Sequence, residues 1–413
     1  VTAPEIDIIS VQVLFFVGSC CQMRRLLFLS FGVLLILSGC VPFFSPWSWT
    51  SRVRGSFQFS SPAMSGEGIV YAATQEDLYA FTHTGKSTSI YGLGSGEWFG
   101  SNPSIDEYGN IYIGTTGGRL LKISPEGLLL WSFPSQPSGN HTVRDASIDG
   151  EGNLYFGTTG GTMYCVSPNG VELWHYDTGE EIWSKPAIGG DGTAFFGTLV
   201  TGGSETHSFF AIKDGQPLWV FETEAPSVGF YSSPALDDEG NVYVACHDGY
   251  LYCLDTLEGT LDWSLRLAPS KPGGDSAIAS SPVVGLDGTV YLCTNEGTFY
   301  AISPAGSIKW TASLGTTIFS TPVLSSEGLA YVLGWDDSRL YVVDLDGGVS
   351  KLSSMGRNSA GSPLMTDDGT LYFTATLVDI GTWSQLVSLK TDGAPAGLWP
   401  MYGIDQRRTG SID

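Results

Sequence analysis

Two copies of GTTGG, at residues 114–118 and 157–161, are the first candidates for chemistry in this chain of 413 residues. A glycine-rich loop cradles a phosphate when a helix follows and offers its N-terminal N–H groups. No helical pattern follows either copy, and the same slot later reads ACHDG (245–249) and CTNEG (293–297). The glycines therefore serve hairpins. His83, His141, His175, His207 and His247 are scattered, without the i, i+4 pairing of a metal-binding helix, and read as surface residues. DGEGN (149–153) and DDEGN (237–241) look like the start of a calcium loop but lack its closing glutamate, and read as turns. Cys165, Cys246, Cys253 and Cys293 lie in apolar runs without zinc spacing. They read as buried thiols, with a disulfide between neighbouring strands left open. No G-x-S-x-G, H-E-x-x-H or Walker sequence is present, so no catalytic residue and no metal site is assigned.

The elements that carry these residues are short strands. Charged residues are only 15%, aromatics 12%, and glycines number 54, which suits strands and tight turns better than amphipathic helices. A balance of 19 Lys and Arg against 42 Asp and Glu gives a formal charge of −23, which repels phosphates and argues against nucleic acid or anionic lipid as a direct partner. From Met23 the chain reads MRRLLFLSFGVLLILSGC, a secretory signal with a basic start and an apolar run too short for a normal membrane span. Its end, LSGC, resembles the bacterial lipobox, which makes Cys40 the expected lipidation site. The expected organisation is an upstream extension outside the protein proper (1–22), a signal peptide (23–39), a lipidated N-terminus and linker (40–56), and a repeat domain (57–413).

The repeat is read from the Pro of SSPA. Eight units align on Pro62, Pro103, Ala146, Pro186, Pro234, Pro282, Pro322 and Pro363, 40 to 48 residues apart. Each unit reads as four strands, with a Gly-x-x-x-Trp spacing opening the fourth: Gly127–Trp131, Gly170–Trp174, Gly215–Trp219, Gly259–Trp263 and Gly306–Trp310. Units one, seven and eight depart from it. A single four-stranded sheet cannot bury both faces, whereas sheets packed radially cover one another. The expected fold is all-β, an eight-bladed β-propeller of four-stranded antiparallel blades, with the five tryptophans sealing the seams between blades. A β-helix is the runner-up, but its coils are much shorter. Either residues 47–55 or the C-terminal segment would supply the last outer strand.

Departures from the pattern point to candidate binding residues. Unit three carries Arg144 and Asp145 before its repeat start, unit four Trp183 and Lys185, unit two Trp98, unit five Tyr231 and unit seven Phe319. These positions enter the innermost strands, and together they would form an aromatic ring with two cations at one channel mouth, suited to a peptide or an acidic small ligand. The alternative is that the aromatics cap the blade cores and Arg144 pairs with Asp145. Extra length at 199–208 and 266–279 makes loops on the faces, where partner contacts usually lie.

SSPAL…GNVYVACHDGYLYCLDTLEGTLDW resembles the PQQ-like (quinoprotein-like) propeller repeat, best in units five and six (232–263 and 280–310), and WPMYGIDQRRTG (399–410) resembles a segment that often flanks such repeats. Two branches of the family follow. The quinoprotein dehydrogenases imply PQQ and calcium in the central funnel and a disulfide of adjacent cysteines; the only adjacent pair here, Cys20 and Cys21, stands outside the repeats. The BamB-type outer-membrane assembly lipoproteins share the signal, the lipobox and eight such blades. That branch implies an extracytoplasmic lipoprotein of the bacterial envelope, on the outer membrane or facing the periplasm. It would be a monomeric scaffold for envelope proteins such as the β-barrel assembly machinery, anchored through Cys40, with no cofactor. A PQQ-dependent oxidoreductase and a surface lipoprotein binding a glycan, peptide or small ligand are the alternatives.

Overall fold

The computed structural model describes residues 48–412, apart from 58–59, 95, 135–140, 200–206, 224–228, 270–276, 353, 355, 357–360, 378–382 and 406. Cys40, the segments 1–22 and 23–39, residues 40–47 of the segment 40–56 and the middles of 199–208 and 266–279 therefore lie outside the described residues. The described chain forms 32 strands in eight four-stranded antiparallel sheets. This is the eight-bladed β-propeller. Blade five shows the order from the channel outward: Ala235–Leu236, Asn241–Ala245, Tyr250–Asp255 and Leu261–Arg266. Its second strand is buried on both faces, because each face packs against a neighbouring blade, so the usual alternation of apolar and polar residues disappears.

One row of residues explains the repeat's most regular features. Across blade five, Ala235 faces Tyr243, Tyr243 faces Cys253, and Cys253 faces Trp263. The equivalent rows are Ser147, Tyr155, Cys165, Trp174 in blade three and Val283, Tyr291, Ala301, Trp310 in blade six. A small residue in the third place lets the indole lean over it onto the aromatic ring beyond, 5.9 Å away for Tyr243–Trp263 and 5.8 Å for Tyr155–Trp174. Cys165 and Cys253 are these small residues; burial pushes each thiol up to about 12, and neither forms a disulfide.

The same indoles reach the next blade. Trp131 Nε1 donates to Pro168 O at 3.0 Å, Trp219 to Thr256 O at 3.0 Å and Trp263 to Pro304 O at 2.8 Å. Each ring rests on the glycine that opens the next blade's Gly-x-x-x-Trp. A Cβ on Gly306 would stand 2.7 Å from Trp263 Cδ2, and the residue has φ +76°, so glycine is required twice over.

The last blade is completed by the N-terminal strand, and the segment 40–56 is thus not all linker. Leu364–Met365, Thr370–Leu377 and Trp383–Lys390 pair with Trp49–Arg54 as outer strand. Unit eight has no Gly-x-x-x-Trp of its own, its Trp383 standing at the start of the third strand, and Trp49 fills the outer place in the row Leu364, Tyr372, Ser388, Trp49. Its Nε1 donates to His83 O at 2.8 Å, and its ring lies against Gly85 of blade one.

The C-terminal segment, freed from that task, fills the channel. Inner strands are only two residues long and turn an unpaired edge to the channel, where buried N–H groups need partners. The segment supplies them: Leu324 N donates to Pro400 O, Val284 N to Trp399 O, Ile105 N to Arg407 O, Ile148 N to Thr409 O and Ile188 N to Gly410 O, all between 2.7 and 3.0 Å.

Trp49→Ala is expected to lower stability by about 2–3 kcal/mol, since it empties the closing seam. Trp98→Ala, which truncates a half-exposed ring, is expected to change it by less than about 0.5 kcal/mol. Urea unfolding of both variants beside the parent chain measures the contrast.

Candidate functional site at the channel

The paired serines of SSP have separate tasks. The first accepts from a backbone N–H of its own blade thirteen residues on, as Gly114 N to Ser101 Oγ at 2.7 Å and Leu333 N to Ser320 Oγ at 2.9 Å. The second binds the neighbouring blade. Ser233 N donates to Ser281 Oγ, Ser281 N to Thr321 Oγ1, Thr321 N to Ser362 Oγ, Ser362 N to Ser61 Oγ, Ser61 N to Asn102 Oδ1 and Asn102 N to Asp145 Oδ1, at 2.6–3.2 Å. With Lys185 N to Ser233 Oγ at 2.9 Å, the bonds circle the channel except at one step, from Asp145 to Lys185. Lysine has no acceptor atom.

At that step the charged groups turn inward. Lys185 is buried, and its Nζ donates to Ser104 Oγ at 2.9 Å, Arg408 O at 2.7 Å and Ala146 O. Burial draws its ammonium down to about 8. Asp145 accepts from Asn102 Nδ2 at 2.7 Å and from Tyr402 Oη at 2.5 Å. Arg408 is the largest wholly buried side chain; its guanidinium donates to Pro62 O at 2.7 Å, Tyr402 O at 2.5 Å, Ser362 O at 3.1 Å and Pro363 O at 3.2 Å. These carbonyls belong to blades one and eight and to the C-terminal segment, so WPMYGIDQRRTG works as a staple across the closure. Nothing in the sequence pattern of the repeats marked Arg408 and Tyr402; the flanking motif was the available signal.

Of the seven candidate residues, Arg144, Trp183 and Tyr231 come together. The Arg144 guanidinium lies 4.6 Å over the Trp183 ring, Trp183 stacks on Tyr231 at 5.4 Å, and Tyr231 stacks on His247 at 5.5 Å with ring planes 12° apart. Arg144 Nη1 donates to Gly100 O at 2.7 Å; it does not take Asp145, the partner considered from the sequence. Trp183 Nε1 is fixed by Glu181 Oε2 at 2.6 Å. Tyr231 keeps 37% of its surface exposed. Phe319 packs edge-on against Trp335 at 5.3 Å, and Trp98 stands half-exposed, so neither joins the stack. Asp145 and Lys185 point into the filled channel instead of lining the mouth.

The GTTGG hairpins position this mouth. Thr116 N donates to Trp98 O, Val143 N to Thr115 O and Thr159 N to Thr142 O, tying each linker to a hairpin tip. The Asp-rich turns have a structural use at the far ends of the inner strands. Asp237 accepts from Glu239 N, Asn241 N, Asn241 Nδ2 and Tyr243 Oη at 2.8–3.0 Å, and Asp149 holds the matching set. Two histidines depart from the surface expectation: His207, at the start of the strand His207–Lys213, is 1% exposed, and His247 is 7% exposed because Tyr231 roofs the hairpin before DG.

Blades, ring and staple define a PQQ-like eight-bladed propeller. The family model described as outer membrane protein assembly factor BamB matches residues 116–351, and the chain belongs to that family. BamB from Moraxella catarrhalis superposes with a TM-score of 0.61 at 16% identity, over 83% of this chain and 97% of that one. A europium-containing methanol dehydrogenase gives 0.63 at 13% identity, over 83% and 92%. At these identities the likeness is one of fold. The YxaL protein of Bacillus subtilis is 39% identical over 70 residues, a stretch that spans 17% of this chain and 16% of that protein.

His247 offers a pH test of the stack. Burial, then the neighbouring His207, lowers its imidazole from 6.5 to about 4. The unfolded chain thus binds the extra proton first as pH falls, and stability is fully present above about pH 6.5 and lost toward pH 4. His207, Asp248 and Tyr231 face the same space. His247→Phe, which keeps the ring, is expected to retain up to about 3 kcal/mol that the parent loses between pH 7 and pH 4. Urea unfolding at both pH values measures the difference.

Proposed function

We propose that this protein is a non-catalytic scaffold of the bacterial cell envelope that binds other envelope proteins, components of outer-membrane protein assembly among them. In this reading it is a monomer held at the membrane by a lipid on Cys40. Membership of the BamB family supports it, and one observation carries it: the stacked Arg144–Trp183–Tyr231–His247 group, with Tyr231 partly exposed among the described residues. Arginine, tryptophan and tyrosine held rigid by one another lose little entropy on contact, which is what an anchor in a protein interface requires.

The competing reading, a PQQ-dependent oxidoreductase, draws on the likeness to a methanol dehydrogenase. The residues present do not fit a PQQ–calcium pair in the channel. Of the cations that would meet the carboxylates of PQQ, Lys185 is committed to Ser104 Oγ and the carbonyls of Ala146 and Arg408, and Arg408 to the carbonyls of Pro62, Tyr402, Ser362 and Pro363. The Asp145 carboxylate is committed to Asn102 and Tyr402.

Photo-crosslinking in cells from position 98 or 231 is expected to capture an envelope protein, and Trp183→Ala with Tyr231→Ala to reduce capture at least tenfold. Recovery of no envelope protein, or dye-linked alcohol oxidation after addition of PQQ and calcium, overturns the proposal.

A further inference from the structure

At the far ends of the inner strands, beside the C-terminal segment, lies a cavity of about 430 Å³. That is within the range of small-molecule sites, about 300–1,000 Å³. Pro395, Pro400, Met401 and Ile404 give it an apolar floor. Its rim takes Gly66 from the first hairpin of blade one, Glu107 from that of blade two and Asp367 from that of blade eight, with Asp405 and Arg407 from the C-terminal segment.

The charges on this rim do not cancel. Arg407 Nε stands 3.7 Å from Asp405 Oδ2, so that pair neutralises itself, and Asp405 is further held by Thr409 N at 2.9 Å and Thr409 Oγ1 at 3.0 Å. Among the described residues, neither Glu107 nor Asp367 is in an ion pair. Two carboxylates therefore face one cavity over an apolar floor.

We propose that this cavity binds an organic cation carried on an aliphatic stem, the chemistry of an arginine or lysine side chain or of a free alkyl amine. The stem lies along Met401, Ile404 and the prolines, as such stems do on apolar surface, while the head reaches Glu107 and Asp367. A bare metal ion gains nothing from the floor, an anion meets the two carboxylates, and a neutral apolar ligand leaves both charges unanswered. The site lies on the other face from the aromatic stack and does not depend on a partner there. Its occupant would bridge blades eight and two beside the Arg408 staple, and so would stabilise the closed ring.

The test uses the full chain with three probes: agmatine, the peptide Gly-Ser-Arg-Ser-Gly, and the same peptide with citrulline in place of arginine. Saturation-transfer NMR is expected to show saturable contact from the methylenes of agmatine or of the arginine peptide. Tm should rise by about 1–2 °C at ten times the Kd. Glu107→Gln with Asp367→Asn, both surface changes, is expected to weaken binding at least tenfold while the unliganded Tm stays within about 1 °C. Binding by the peptide alone assigns the site to a partner's side chain, and binding by agmatine alone to a free amine. Equal binding of the citrulline peptide, an undiminished affinity in the double variant, or no saturable binding of either cation overturns the proposal.

Discussion

A propeller stands or falls on the closing of its circle, and here the circle is held at its narrowest radius by hydrogen bonds from backbone N–H to side-chain oxygen. Seven of the eight residues at the repeat start donate in this way to the next blade, including the step from Ser362 to Ser61 that joins the ends of the chain. The proline that follows seven of these residues holds the one before it extended, so the N–H points to the neighbour and not along its own blade. Six of these seven donor residues are buried, and there the loss of the acceptor would leave a desolvated donor at a cost of about 1–3 kcal/mol. That penalty, more than any gain from the bond itself, explains why a small hydroxyl side chain recurs there.

The position that breaks the circle sets what the centre can do. Lysine at 185 cannot accept, and its ammonium turns to the C-terminal segment, whose Arg408 reaches back to the carbonyls of blades one and eight. The departure from the repeat and the flanking motif are thus two halves of one device. With the channel's charges consumed internally, the features left at the rims are an aromatic stack at one mouth and, at the other, a cavity whose Glu107 and Asp367 are in no ion pair among the described residues.

Much of this was legible beforehand. Eight repeats, four strands in each and the seam tryptophans follow from spacing alone, because each is a local pattern that the fold copies. The missing Gly-x-x-x-Trp of unit eight was legible as an absence, though not its remedy, since Trp49 lies more than three hundred residues from the strand it joins. Lys185 and Asp145 were visible as departures, yet a departure says only that a position differs. Whether the side chain turns to solvent or to the channel depends on a segment two hundred residues away. His247 looked like a turn residue and is one; its burial comes from Tyr231, carried by the linker before its own blade.

The sequence by itself determined the unit: short strands, glycine hairpins, a tryptophan to cover the seam and a serine to reach across it, all set by contacts within one repeat or between a repeat and its copy. Only the tertiary structure decided how the series ends. Which terminus closes the circle, what fills the channel and which charges stay free are questions about residues that meet once in the molecule. No period records them, because they arise where the repetition stops and the two ends of the chain must satisfy the same ring of hydrogen bonds.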